Sequence, residues 1–436
     1  MPEHLLTEKM KLFFKIFIIT ILLSTYSRIV SGQSDSLPVL DLSTCIKAAL
    51  NYSPILKEGY TKTEIKKNTI SLTKSSQLPY LSSSVSYNLT NQNKLDNNYN
   101  SASYGINASQ VIWQFGKNKA ITEQSKYLYQ AEVSNYTALQ LDVIVQVKLF
   151  YYEYLKYAKL LELAKNNVEQ AELFLSAAKE KKDLGIGKNS DILKSESDVA
   201  DAKYIYSVNE NYITKLNFEL RCLTGLNITD RTKLQDDLFK ADIAYSATNS
   251  DTLISMAKKN YPELKMIDDL ILSQEAYIKS VKADNYPKIS AGAGYNWYYN
   301  PLFKANDFWN AGITISWDIF SGYRKKYQLK IENLQSDAFT YQKENLLLNL
   351  SKEINNQYLL LNENLTLIGI IEVLLKSTTE NLNIVLEEYK QGVSSMLELA
   401  NARTENFRAN ERYINAWYVY QVSKVQLERT LGLTNK

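Results

Sequence analysis

The sequence predicts an internally duplicated α+β membrane protein with long helices and four transmembrane β-strands in each chain. Three observations predict this fold class. The second half repeats the first at an offset of about 207 residues. Each half contains one very long stretch with helical periodicity and one pair of segments that alternate with a period of two. A repeat this long is a duplicated half, because solenoid units are about 20–50 residues long.

The duplication is visible as landmarks that recur in the same order. From them we expect a first repeat at 33–226, a polar and aperiodic linker at 227–250, and a second repeat at 251–436. The landmark pairs are Pro54 and Pro262, Pro79 and Pro287, Trp113 and Trp317, Gly116 and Gly322, Gly185 and Gly392, and Asp191 and Glu398.

Residues 1–32 have the layout of a secretory signal peptide. Lys9 and Lys11 precede an apolar run that ends near Leu23, and small residues follow near Ser31. The run is too short to cross a bilayer as a permanent helix. We therefore expect an exported chain.

Charge and composition argue against several function classes. The formal net charge is +3, and residues 1–32 account for +2 of it with four basic and two acidic side chains, which leaves +1. Such a balance does not favour nucleic-acid binding, which depends on clustered positive charge. The single histidine, His4, lies in the signal segment, which weighs against histidine-based catalysis and metal sites. We predict no catalytic, cofactor or metal site, and an enzyme is the weakest candidate.

Two cysteines, Cys45 and Cys222, follow the signal segment. Export would permit a disulfide between them. Their counterparts in the second half are Leu253 and Arg429, so the fold forms there without such a pair. Two free thiols are the favoured interpretation, and pairing stays open.

Each half contains a stretch that predicts one very long helix. Neither proline nor glycine occurs between Gly116 and Gly185, and only Gly369 interrupts 323–391. Apolar residues recur there by threes and fours, which is typical of a helix that packs along its whole length. At 1.5 Å per residue, each helix would be roughly 100 Å long. Shorter helical segments are predicted at about 42–75, 190–221, 251–284 and 395–429.

Between the opening helix and the long helix of each half, the period changes from 3.6 to 2. The alternation predicts strands at about 81–92, 101–115, 288–300 and 308–320. About ten residues suffice for a transmembrane β-strand, although a half-buried sheet in water also alternates. A small, uncharged polar face and aromatic residues near the strand ends favour the membrane. These aromatic residues are Tyr87, Trp113, Tyr299, Trp309 and Trp317.

Four strands cannot close a barrel, and an open sheet edge is not tolerated in lipid. The smallest membrane barrels have about eight strands. The barrel must therefore be shared between subunits. We therefore expect an oligomer in a lipid bilayer, with two, three or four copies all possible.

Beyond the signal segment, the chain resembles the TolC-like outer-membrane efflux proteins over essentially its whole length. The duplicated halves, Pro79 and Pro287 before the hairpins, the Trp-to-Gly strand exits and the glycine–acid pairs carry the resemblance. It implies a homotrimer in which a shared outer-membrane β-barrel continues as a long α-helical barrel, the periplasmic tunnel. It also implies a passive duct of a tripartite efflux or type I secretion system, docked to a periplasmic adaptor and an inner-membrane transporter.

The resemblance further implies a periplasmic gate at the helix-turn tips around Gly185 and Gly392. Asp191 and Glu398 match positions that present acids to the narrowed lumen, and Tyr389 matches a tyrosine that holds the helix pairs shut. Three copies of each acid around one axis would attract cations.

Both acids also have a purely structural interpretation. Asp191 would be favoured by the dipole of the helix that it opens, and Ser395 with Glu398 has the spacing of a capping box. The chain departs from the best-known member at Ser394 and Asn401, which replace a basic residue and an acid. A charged lock at the gate is therefore in doubt, and closure would rest more on the tyrosine and on packing.

An alternative from another class is a structural or adhesive trimer without an open pore. The small, uncharged inward faces of the strands favour a channel, and no separate adhesive domain is visible in the sequence. The cargo is left open between small molecules, metals and polypeptides. Three methionines, Met256, Met266 and Met396, are too few for an obvious soft-metal relay.

Overall fold

The computed structural model describes residues 39–92, 97–229, 232–240, 249–300 and 304–433. The predicted signal peptide at 1–32 lies outside the described residues. Within them, the same order of elements occurs twice, namely two short helices, a β-hairpin, a 67-residue helix and a helix about half as long.

The elements have the following bounds. The first half consists of β1 (Val39–Leu40), α1 (Leu42–Tyr52), α2 (Pro54–Ser75), β2 (Tyr80–Gln92), β3 (Asn97–Trp113), α3 (Lys117–Asp183) and α4 (Asn189–Thr224). A short strand, β4 (Lys233–Leu234), follows. The second half consists of α5 (Ser250–Asn260), α6 (Pro262–Ala283), β5 (Lys288–Asn300), β6 (Lys304–Ser316), α7 (Arg324–Lys390) and α8 (Met396–Thr430).

The short opening helices are divided by a proline in each half. Pro54 and Pro262 each begin a helix, where the missing N–H costs nothing and the fixed φ suits helical geometry. Each long helix runs uninterrupted, and α7 continues through Gly369. At 1.5 Å per residue, α3 and α7 are each about 100 Å long.

The four long strands form one antiparallel sheet in the order β2–β3–β5–β6. Four of its limits differ from the sequence prediction by two residues or more. β3 begins at Asn97 instead of near residue 101, and β6 begins at Lys304 instead of near residue 308. β3 ends at Trp113, after an irregularity that follows Val111, and β6 ends at Ser316 instead of near residue 320. β6 ends there because Ser316 pairs with Lys288, which is the first residue of β5. Beyond it, the Trp317 indole N–H donates to the Asn285 carbonyl at 3.0 Å.

The main core lies where the short helices pack against the middle of the long ones. α3 packs against α2, α4 and α6, and α7 packs against α6 and α8. Contacts between α3 and α8 join the two halves directly. The largest fully buried side chains of this core include Tyr151, Leu220, Leu253, Ile354, Leu361, Tyr420 and Leu427.

The segment between the halves is more ordered than its aperiodic sequence predicts. Leu238 is fully buried, and the Gln421 amide donates to the carbonyls of Leu238 and Lys240, at 2.9 Å each. The Tyr151 hydroxyl donates to the Gln235 carbonyl at 2.7 Å. β4 pairs in parallel with β1. Residues 232–240 are therefore part of the core rather than a loose linker.

Both cysteines are free thiols. Cys45 is fully buried in α1, and burial raises the pKa of its thiol to about 11. Cys222 is exposed near the end of α4. Leu253, the counterpart of Cys45, is also buried, at 1% exposure, so an apolar group occupies this position in both halves.

In the described part of the chain, one helix, α7, is long and apolar enough to cross a membrane by length and composition alone. Its most apolar window has a mean hydropathy of 1.5, yet only 17% of that window is buried. α7 thus leaves an apolar face uncovered in the single chain. Its exposed members include Leu348, Leu359, Ile370 and Val373.

Candidate functional site

Two regions carry the candidate functional residues: the turns at the far ends of the long helices, and the polar face of the sheet. In the first turn, Gly185 follows α3 with a φ of 76°. Its N–H donates to the Lys182 carbonyl at 2.9 Å, and the Ile186 N–H donates to the Lys181 carbonyl at 3.0 Å. This pair of bonds is the Schellman motif, which requires the left-handed conformation that glycine adopts most readily.

The second turn repeats this geometry. Gly392 has a φ of 80°, and its N–H donates to the Tyr389 carbonyl at 3.2 Å. The Val393 N–H donates to the Glu388 carbonyl at 2.9 Å. Both glycines therefore end a 67-residue helix and reverse the chain into the next one.

The two acids six residues beyond these glycines have different surroundings. Glu398 forms a full capping box, in which its carboxylate accepts from the Ser395 N–H at 2.7 Å and its own N–H donates to the Ser395 hydroxyl at 3.2 Å. The hydrogen bond from the Ser395 backbone is the main cause that lowers the pKa of Glu398. Its carboxylate is thus committed to the start of α8.

Asp191 makes no comparable bond to the backbone among the described residues. It lies in the first turn of α4, and the N-cap residue there, Lys188, makes no side-chain capping bond. The Asp191 carboxylate accepts from the neighbouring Ser190 hydroxyl at 3.4 Å, a long distance for such a bond. Of the two matched acids, Asp191 is the one whose carboxylate remains available to another group.

Tyr389 connects the two halves at this end. Its side chain is 8% exposed and packs with Met396 and Leu399. The ammonium group of Lys181, from the last turn of α3, lies 3.7 Å from the centre of the Tyr389 ring. Such a cation–π contact contributes about 0.5–2 kcal/mol, depending on how far the cation is desolvated.

A buried ion pair near these turns was not anticipated from the sequence. The Arg403 guanidinium on α8 lies 3.6 Å from the Asp198 carboxylate on α4, with side-chain exposures of 9% and 14%. Lys194 also contacts Asp198, at 2.7 Å. Burial is the main cause that lowers the pKa of Arg403. A sequence signal existed, because Arg403 follows the apolar Leu399 by four residues and therefore lies on the same helix face.

The two residues that depart from the family pattern, Ser394 and Asn401, are both uncharged. The Ser394 hydroxyl donates to the Glu388 carboxylate at 2.8 Å, a bond local to the turn. Asn401 is exposed. In this region of the described structure, the ionic contact between the halves is the one between Arg403 and Asp198.

The register of the sheet separates its two faces. One face is mainly apolar and exposed in the single chain, with Val85 at 77%, Trp309 at 78% and Ile313 at 74%. Asp307 also lies on this face, where its carboxylate accepts a hydrogen bond from the Tyr295 hydroxyl at 3.0 Å.

The opposite face carries mainly serine, glycine and asparagine, together with Tyr80, Tyr298 and Phe308. A cross-strand contact of this polar face joins the Ser86 and Ser103 hydroxyls at 2.8 Å. A sheet with one lipid-like face and one small polar face is typical of a transmembrane barrel wall.

Three asparagines, Asn107, Asn296 and Asn310, meet on the polar face, and we call them the asparagine band. Register places Gly294 between Asn107 and Asn310. The Asn296 amide donates to the Asn310 amide oxygen at 3.4 Å. A Cβ on Gly294 would collide with the Asn107 amide and would lie 3.0 Å from that of Asn310. The glycine therefore makes room for the band.

The two prolines that lead into the sheet directly precede β2 and β5. Pro79 borders a groove of about 860 Å³, and Pro287 borders a separate cavity of about 250 Å³. Beside Pro287, the Lys117 ammonium lies 2.5 Å from the Asp284 carboxylate and fastens α3 to the end of α6. No cluster of three potential metal-ligating side chains occurs among the described residues.

Comparison with known proteins matches the two halves of the chain separately. The family described as outer membrane efflux protein matches this chain twice, at residues 45–225 and 253–433. Outer membrane protein TolC of Vibrio cholerae is 21% identical over 373 residues, which are 83% of this chain and 84% of that protein. Cation efflux system protein CusC of Escherichia coli O157:H7 is 24% identical over 404 residues, with 90% and 85% covered.

A solved structure shares the fold over nearly the whole chain. The crystal structure of the Campylobacter jejuni CmeC outer membrane channel aligns with a TM-score of 0.79 at 18% identity, covering 92% of this chain and 90% of that one. The predicted fold class, long tunnel helices joined to a β part, is thereby confirmed. Because the family matches both halves, and together most of the sequence, this chain belongs to the outer membrane efflux protein family.

Proposed function

We propose that this outer-membrane exit duct works as a homotrimer in a tripartite efflux or type I secretion system. In this proposal the trimer docks to a periplasmic adaptor, which connects it to an inner-membrane transporter that supplies the energy. The duct itself acts passively. The observation that carries the proposal is a sheet with one apolar face, one small polar face and two unpaired edges, mounted on helices about 100 Å long.

The unpaired edges support assembly into a shared barrel. β2 and β6 form the two edges of the described sheet. In lipid, each unpaired backbone N–H or C=O group costs several kcal/mol, because no water is present to satisfy it. Pairing β6 of one copy with β2 of the next removes both edges. Three copies, the number that the family resemblance implies, would give a closed barrel lined by the polar face.

The uncovered face of α7 supports the same assembly at the level of the helices. Ile370 and Val373 are 60% and 67% exposed in the single chain. A contiguous apolar surface of this kind marks a protein contact or a lipid contact. Since α7 runs away from the sheet along the tunnel, we assign this face to the neighbouring copy.

The ends of the turns support docking to an adaptor. Ile186 is 74% exposed at the first turn, and Val393 is 75% exposed at the second. Leu184 and Leu397 beside them are also exposed. These apolar side chains lie at the ends of the long helices farthest from the sheet, where a periplasmic partner would meet the tunnel.

At the same ends we propose a gate with divided roles. Tyr389 and its contact with Lys181 hold the two halves together. Asp191 supplies the acid that faces the narrowed lumen, whereas Glu398 caps α8.

The decisive experiment measures ion conductance of the purified protein in planar bilayers, together with its subunit number by native mass spectrometry. We expect a trimer with discrete conductance steps. A trimer that is electrically silent under all voltages would instead support a structural or adhesive role.

Docking is tested separately in cells. A photocrosslinking residue at Ile186 or Val393 should capture a periplasmic adaptor, whereas the same residue at Cys222, which is also exposed but far from the turns, should not. Equal capture at all three positions would contradict docking at the turns. The adaptor's partner pump would then indicate the cargo.

A further inference from the structure

The polar face of the sheet holds a groove where α2 meets the strands. Its volume is about 860 Å³, within the range of sites for drug-sized molecules. We call it the junction groove. Its lining includes Leu72, Leu78, Tyr80, Lys288 and Ser290.

The groove lies on the inner side of the proposed barrel. Tyr80 of β2 pairs with Ser109 of β3, and Lys288 and Ser290 belong to β5. Register places all four on the face that also carries the asparagine band. Because the groove extends over three of the four strands, it is not confined to the sheet edge where a neighbouring copy would pair.

The lining combines exposed apolar surface with hydroxyl groups. Leu72, Leu78 and Tyr80 are between 63% and 70% exposed. Ser290 supplies a hydroxyl group. Register pairs Gln110 with Ala291 on the opposite face of the sheet, and its amide donates to the Gln77 carbonyl at 3.1 Å, so it adds no free amide to the groove. A bound hydrocarbon would therefore bury apolar surface at roughly 25 cal/mol per Å².

Lys288 gives the groove its charge. Among the residues whose side chains are described, it is the charged residue of the polar face, at the first position of β5. No ion pair of Lys288 occurs within the described structure. Lys288 also borders the cavity of about 250 Å³ beside Pro287. There the Asp284 carboxylate forms an ion pair with Lys117 at 2.5 Å, and Asp318 also lines the cavity. The ammonium group of Lys288 is therefore available to an anion in the groove.

We propose that the junction groove binds amphipathic anions, molecules with a carboxylate or sulfonate head and a hydrocarbon body, as they pass from the tunnel into the barrel. The head would contact Lys288, and the body would lie against Leu72 and Leu78. This inference rests on the proposed trimeric duct and adds a class of ligand to it.

The test uses two probes with the same hydrocarbon chain and opposite charge, decanoate and decyltrimethylammonium, below their micellar concentrations. Their binding to the full protein in lipid discs is measured against empty discs. Decanoate should bind more tightly than decyltrimethylammonium. Lys288→Gln should weaken decanoate binding about fivefold, the size expected for an exposed charge pair. Lys74→Gln, an exposed lysine of α2 outside the groove lining, is the matched control and should change neither.

A second variant tests the apolar lining of the junction groove. Leu72→Ser should weaken both probes, because it removes surface that the hydrocarbon covers. Equal binding of the two probes to the natural protein, or unchanged decanoate binding in Lys288→Gln, would overturn the proposal. So would the absence of binding to the natural protein, the result expected if another copy covered the groove.

A second measurement separates this inference from the duct itself. In planar bilayers, decanoate should reduce the single-channel current at a concentration that rises about fivefold in Lys288→Gln. If the trimer conducts and decanoate reduces the current at the same concentration in both proteins, the proposed anion binding in the groove is wrong, whereas the proposed duct stands. A silent trimer would overturn the duct, and the disc measurement would still decide whether the groove binds anions.

Discussion

Among single residues, the two matched acids show how one motif acquires two environments. Ser395 occupies the N-cap of α8, so the carboxylate of Glu398 turns back onto its own helix. In the first half Lys188 occupies the N-cap of α4, and a lysine side chain cannot accept the hydrogen bond that a cap requires. A single difference at the N-cap therefore leaves Asp191 uncommitted.

The ring of Tyr389 should matter more to the proposed gate than its hydroxyl. The ring is buried and lies under the Lys181 ammonium, and no hydrogen bond of the hydroxyl occurs in the described structure. Tyr389→Ala should raise single-channel conductance about twofold or more, because it removes the ring that joins the halves. Tyr389→Phe, which keeps the ring, should stay near the natural value. If Phe opened the channel as far as Ala, the hydroxyl would be the important group.

The two thiols should differ sharply in reactivity. Cys45 is fully buried with a pKa near 11, whereas Cys222 is exposed. Since the thiolate is the reactive form, maleimide at pH 7 should label one thiol of the folded chain and two after denaturation. Cys222→Ser should abolish labelling of the folded protein. Fast labelling of that variant would show that the core around α1 opens.

Between elements, the ion pair of Arg403 and Asp198 should hold α8 against α4. Asp198→Asn leaves a buried guanidinium without its full countercharge, and breaking a buried pair in this way costs about 3–5 kcal/mol. We expect a lower thermal midpoint and faster hydrogen exchange in residues 194–203. Replacing both partners by apolar residues, Asp198→Leu with Arg403→Met, should restore most of the midpoint. A double variant as weak as the single one would show that the pair is not the cause.

The asparagine band should limit what position 294 accepts. In Gly294→Ala the new methyl group would collide with the Asn107 amide, so the strands must shift. We expect fewer heat-resistant trimers on gels. Gly312→Ala is the matched control, because a Cβ there meets nothing within 4 Å. Shortening the amide, in Asn107→Ser with Gly294→Ala, should recover assembly, and failure to recover would point to the backbone instead.

For the whole molecule, the uncovered face of α7 should be needed for assembly. Val373 is 67% exposed in the single chain. A glutamate there would be buried without a partner in the proposed trimer, at a cost that favours separate chains. Val373→Glu should therefore shift the mass in native mass spectrometry from trimer to monomer, whereas Val373→Ile should remain trimeric. A trimeric glutamate variant would place this face in solvent or lipid.

Much of the architecture could be predicted because its patterns are local. The 3.6-residue period of α3 and α7, the alternation of the strands, and the glycines at 185 and 392 each depend on residues close in sequence. Some features that the sequence prediction missed depend on partners. The end of β6 is set by the start of β5, and Leu238 is ordered by a core that no local period reveals.

By itself, the sequence determined the duplication, the lengths of the helices, the two faces of the strands and the membership of an outer-membrane transport family. Only the tertiary structure decided which groups from distant segments meet. It brought Arg403 to Asp198, Lys181 to Tyr389, and three asparagines together over one glycine. The physical reason is how far apart the interacting residues lie along the sequence. Hydrophobic periodicity is read from neighbours along one element, whereas these contacts depend on the register and packing of different elements, most of them in opposite halves of the chain.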